Sequence, residues 1–83
     1  MSDVVVVLGP RWAVRRWKLD HPDDPRQVVT YGYPLMGRRL TNEDLVVLDG
    51  WNNSGWAEEW VRDSLILKFG PGDIDEARRR LEL

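Results

Sequence analysis

Val4-Val5-Val6-Val7-Leu8 has no polar face, and Gly9-Pro10 stops it. Valine suits a pleated strand, and a run that is apolar at every position has to be covered on both sides. Left on an edge, such a strand would pair with other chains. The run therefore predicts a central strand, and the rest of the chain must supply two layers of cover. There is no cysteine among the 83 residues, so neither a disulfide nor a thiolate metal site assists. A chain of this length has a core that is only marginally sufficient. Burial has to carry the fold, at roughly 1.5–3 kcal/mol for each fully buried large side chain. A single domain over residues 1–83 is expected.

The segment 44–70 (DLVVLDGWNNSGWAEEWVRDSLILKFG) holds two apolar runs and three of the five tryptophans. Residues 45–48 (LVVL) leave through Asp49-Gly50 and read as a second covered strand, with 41–44 (TNED) as a turn that has an acid three residues after its threonine. Trp51 to Gly55 is loop chemistry. From Ser54 the period changes: Trp56, Ala57, Trp60 and Val61 share one helical face, and Glu58, Glu59 and Arg62 share the other. Ser54 is placed to cap this short helix, and Glu58 stands four residues before Arg62, in the favourable order. Residues 64–69 (SLILKF) put Leu65, Leu67 and Phe69 on one side of a half-buried strand.

Residues 10–20 (PRWAVRRWKLD) admit two readings. As a helix, Pro10 suits the first turn, and Pro10, Ala13, Val14 and Trp17 share a face. As a strand, the segment pairs with 27–31 (QVVTY) across a loop stiffened by Pro22 and Pro25. Tryptophan and valine favour the pleated surface, so the strand is the expectation. Residues 32–40 (GYPLMGRRL) form an irregular connection. After Gly70-Pro71-Gly72, Asp73 opens a C-terminal helix with Ile74, Ala77 and Leu81 as its apolar stripe and Asp75–Arg79 and Glu76–Arg80 as ion pairs. The order β-β-β-β-α-β-α implies a small α+β protein: a mostly antiparallel sheet of about five strands with two short helices packed to one side.

Catalytic chemistry is sparse, and a non-enzyme is expected. His21 stands in DHPDD without a serine or cysteine nucleophile at motif spacing. Gly70-Pro71-Gly72 and the Gly50–Gly55 pair match neither a phosphate loop nor a dinucleotide fingerprint. Asp20, His21, Asp23 and Asp24 are oxygen and nitrogen donors, but they lack calcium-loop spacing and read as a solvated acidic turn. No catalytic residue, cofactor or metal is assigned. Asn52-Asn53-Ser54 has the form of a glycosylation sequon, but without a secretion signal it is set aside.

Binding remains. Tryptophan, tyrosine and arginine dominate interface hot spots, and five indoles are many for so small an interior. Trp51 and Trp56, at the loop–helix junction, and Tyr31, Tyr33 and Met36 are the candidate partner-binding residues, for a protein partner. Trp60, backed by Val61, reads as core. A small nucleic-acid-binding protein is the alternative, because Arg11, Arg15, Arg16 and Lys18 are interleaved with Trp12 and Trp17, offering cations for phosphate and rings for stacking. The net charge of −2 weighs against it. That net value divides into +3 over residues 1–40 and −5 over residues 41–83. The expectation is that the halves interleave and the charges mix on the surface; a bipolar surface with a basic face for an acidic partner is the alternative. A homo-oligomer, most simply a homodimer paired through Val4–Val7 or the 65–69 strand, is a third reading.

Met1-Ser2-Asp3 lacks the basic start of a secretion signal, and the 4–8 run is too short to span a bilayer. A cytoplasmic protein is expected, with no membrane partner. In its size, lack of cysteine and excess of arginine over lysine, the chain resembles the accessory proteins of phages and mobile elements of GC-rich bacteria. That resemblance implies a host protein as the partner.

Overall fold

The structure is a computed structural model and describes residues 3–83; the Met1-Ser2 start read above lies outside the described residues. Strand β1 (Val4–Leu8) is followed by helix α1 (Arg11–Asp20) and strand β2 (Gln27–Val29). A 3-10 turn (Asn42–Asp44) leads into strand β3 (Leu45–Val47), and helices α2 (Gly55–Trp60) and α3 (Ile74–Arg80) complete the chain. Among the described residues the sheet has three strands, in the order β2-β1-β3, and both pairings are parallel. This is a small α+β fold, and it corrects the expected five-stranded, mostly antiparallel sheet with two helices.

As the Val4–Leu8 run requires, β1 is the middle strand and is wholly buried. Val4, Val6 and Leu8 face a core shared with Val29, Leu45, Val61, Leu65, Ala77 and Leu81. Val5 and Val7 point the other way, in register with Val28 and Val46. Residues 10–20 supply the cover on that second side. They form a helix in place of the expected strand, and Ala13, Val14 and Trp17 are its half-buried positions. This change reverses the topology. A helix between β1 and β2 makes a crossover, and a crossover returns the chain parallel, whereas a tight loop would have returned it antiparallel.

The second correction concerns residues 64–69. Helix α2 does not end in a strand; it runs on through a π-helical turn (Val61–Leu65) and a 3-10 turn (Ile66–Lys68). Ala57, Val61, Leu65 and Phe69 recur every four residues and are all buried. That spacing drifts by about 40° per repeat on an ideal α-helix. The wider π turn, closed by the Ile66 amide on the Val61 carbonyl, takes up the drift and keeps the stripe on the core. Leu67 then points outward.

Local chemistry sets the element ends. The Ser54 hydroxyl accepts the Ala57 amide at 3.1 Å, and Arg62 reaches Glu58 at 3.1 Å. Asp73 makes no side-chain cap; its carboxylate accepts from the Asn42 side chain at 2.9 Å. Arg80 leaves Glu76, which pairs with Arg79, and donates to the Leu45 carbonyl at 2.8 Å on edge strand β3. An exposed strand edge is thereby capped by a charge.

Candidate functional site

Two surfaces gather the residues that the sequence singles out. The first lies between the 30–37 loop and the helical rod 55–68. Gly32 turns the loop at φ +80, under the edge of the Trp56 ring. This places Tyr31 edge-on against Trp56, with centroids at 6.3 Å, and against Trp60 at 5.9 Å. The Tyr31 hydroxyl donates to the main-chain oxygen of Trp51. Burial pushes that hydroxyl up to about 12, against an opposing hydrogen bond from the Gly9 main chain.

Beyond Tyr31 a groove of about 330 Å³ opens between Tyr33, Pro34 and Met36 on one wall and Trp60 and Leu67 on the other. Trp56, Glu59, Trp60 and Asp63 border a second hollow of about 200 Å³, which shares Trp60, Asp63 and Ser64 with the first. Met36 is 90% exposed, Leu67 73% and Trp56 60%. Glu59 and Asp63 on the rim take part in no ion pair among the described residues.

Four of the five expected partner-binding residues therefore meet on one face: Tyr31, Tyr33, Met36 and Trp56. Trp51 does not join them. It is 8% exposed and belongs to the core, and its backbone oxygen accepts the Tyr31 hydroxyl. Trp60 is only partly buried and walls the groove. Leu67 is the residue that sequence reasoning missed. A two-residue period puts it inside with Leu65 and Phe69, and the four-residue spacing from Ala57 was the signal that puts it out.

The second surface is the basic edge of α1. Arg11, Arg15 and Lys18 stand at i, i+4 and i+7 and border a groove of about 500 Å³ whose floor includes Val14 and Val28. Gly9, Thr30 and Tyr31 complete its lining. The other candidates for nucleic acid turn away. Trp12 is 73% exposed on the outer side of the helix, Arg16 pairs with Asp20 at 3.4 Å, and Trp17 stacks on His21 with ring centroids at 4.1 Å. The helix thus turns Arg11, Arg15 and Lys18 to one side and Trp12 and Trp17, interleaved with them in the sequence, to others.

The acidic turn is engaged elsewhere: Asp20 with Arg16, His21 with the Trp17 carbonyl at 2.8 Å, and Asp24 with Arg26 at 2.7 Å. Among the described residues no helix is long and apolar enough to cross a membrane. The routes suggested for a homodimer are altered as well, since β1 is flanked on both sides, 65–68 is helical and Phe69 is already bridged to Leu40. Comparison of the chain with protein-family models, curated proteins and solved structures gives no match.

Proposed function

We propose that the protein is a non-catalytic interaction module that captures a short protein segment in the groove between the 30–37 loop and the rod 55–68. One observation carries this reading: Tyr33 and Met36 from one segment and Trp60 and Leu67 from another line one groove, and Trp56 lines the hollow that adjoins it at Trp60. Aromatic walls around a pocket are the arrangement that concentrates binding energy at interfaces. The carboxylates of Glu59 and Asp63, which form no ion pair among the described residues, outnumber Lys68 around the groove and the adjoining hollow and favour an apolar anchor flanked by lysine or arginine. A host protein offering such a segment accords with the compositional resemblance noted above.

The test is selection from a random peptide library on the wild-type protein, with Trp56→Ala as the counter-selection. Enriched sequences are expected to combine an apolar anchor with adjacent lysine or arginine, and to bind Glu59→Lys/Asp63→Lys about tenfold more weakly. Failure to enrich any sequence, or enrichment of acidic ones, overturns the reading. So does sedimentation showing that a second copy of the chain already fills the groove.

A further inference from the structure

We propose that the groove between α1 and β2 binds an organic phosphate of the nucleotide class, with phosphate held by Arg11, Arg15 and Lys18 and the apolar part of the ligand lying on Val14 and Val28. None of the three cations has an anionic partner among the described residues, although Arg16 on the same helix has Asp20. They are spread over roughly 10 Å of helix axis, more than one carboxylate spans and suited to successive phosphates. Guanidinium forks match phosphate oxygens.

Independent support comes from Thr30. Its hydroxyl oxygen is buried and has no hydrogen-bond partner, and the residue lines this groove. A buried hydroxyl without a partner is rare in native proteins and calls for an explanation. Rotation of the Thr30 side chain into the groove would bring that hydroxyl to a ligand oxygen or ring nitrogen on the floor and satisfy it. The groove also lies beside Gly9 and Thr30, at the carboxyl ends of β1 and β2, the end of a parallel sheet where ligands bind in open α/β folds. The first turn of α1 contains no acid, and Pro10 supplies no side-chain cap, so the helix itself adds no negative charge at this positive corner.

The shared chemistry, a phosphate attached to a flat apolar group, arises in a free nucleoside polyphosphate and in a single-stranded nucleic acid. Amide-resolved NMR titrations at low salt, with adenosine triphosphate, a short oligothymidylate and inorganic phosphate, separate the sources. Either organic probe is expected to shift the amides of Arg11, Arg15, Lys18 and Thr30. Binding by the oligonucleotide alone identifies the polymer, and its affinity should then fall with salt at a logarithmic slope of about −0.7 for each phosphate neutralised.

Arg15→Glu/Lys18→Glu should weaken binding at least about tenfold, while Arg16→Glu, on the outer side, should change it less than about threefold. Thr30→Val should weaken binding yet raise the melting temperature of the free protein, because it removes an unsatisfied hydroxyl. No shift in this groove overturns the proposal, as does inorganic phosphate binding as tightly as the organic probes. Equal losses from Arg16→Glu and Arg15→Glu/Lys18→Glu, or a Thr30→Val variant unchanged in both readouts, overturn it too. Because the peptide test reads the Trp56 groove, either proposal can fail alone.

Discussion

Asp44 and Arg26 meet at 3.2 Å, joining the turn before β3 to the chain entering β2. Asp44 is the buried charged residue of the described chain, at 4% exposure, and both its oxygens are used. One accepts from Arg26, and the other accepts the Thr41 amide at 3.0 Å and the Thr41 hydroxyl at 3.2 Å. Arg26 in turn grips Asp24 with two nitrogens and donates to the Glu43 carbonyl at 2.8 Å. β2 and β3 lie on opposite sides of β1, so this network ties together the two edges of the sheet.

Asp44→Ala should therefore cost about 1–2 kcal/mol, since it uncaps the turn and removes one of the two carboxylates held by Arg26, which keeps Asp24. A chain of this length has a total stability of only roughly 4–12 kcal/mol. Urea unfolding checks this prediction. A loss under about 1 kcal/mol would mean that the network contributes no more than a surface pair.

The network also sets an acid limb. Side-chain hydrogen bonds from Arg26, then its main-chain amide, lower Asp24 to about 2. The folded value lies below the unfolded one, so the associated stability is present above about pH 4 and is lost as pH falls toward 2. The urea midpoint of the wild type should fall through that window, and Asp24→Asn should show a flatter limb. Parallel limbs, separated by a constant offset, would remove Asp24 as the cause.

Trp51 and Trp56 should behave in opposite ways. Trp51→Ala empties a core position and should destabilise by about 3–5 kcal/mol. Trp56→Ala loses mainly an edge contact with Tyr31 and should cost about 1 kcal/mol, while abolishing peptide capture. Paired denaturation and binding measurements decide the matter; equal stability losses in the two variants would contradict the division into core and groove.

Several features were legible before folding. The unbroken apolar face of Val4–Leu8 demanded a central strand, Ser54 marked a helix start, and the apolar stripe through Ala77 and Leu81 marked the last helix. Residues 10–20 were not legible in the same way, because their spacing satisfies a pleat and a helix almost equally. The crossover to a parallel β2 goes with the helix, whose half-buried side is Ala13, Val14 and Trp17, and Val5 and Val7 are fully buried on the sheet face away from the main core. Residues 65–69 were ambiguous for a related reason: Leu65 and Phe69 are inward under a period of two and under a spacing of four, and only Ile66, which is buried, and Leu67, which is exposed, tell the two apart.

The candidate surfaces divide along the same line. Composition pointed to aromatic docking and to a basic segment, and the polarity of charge between the halves of the chain was plain in the residue order. Which rings reach the surface was not. Trp51 in the loop fills the core, whereas Trp56, on the helical face with Ala57 and Val61, borders the surface hollow. Local order determines which side chains share a face, because backbone periods of two or about four act over neighbouring residues. Strand direction, the burial of Trp51 and the meeting of Met36 with Leu67 depend on segments far apart in the chain finding one another, and only the packed structure settles those choices.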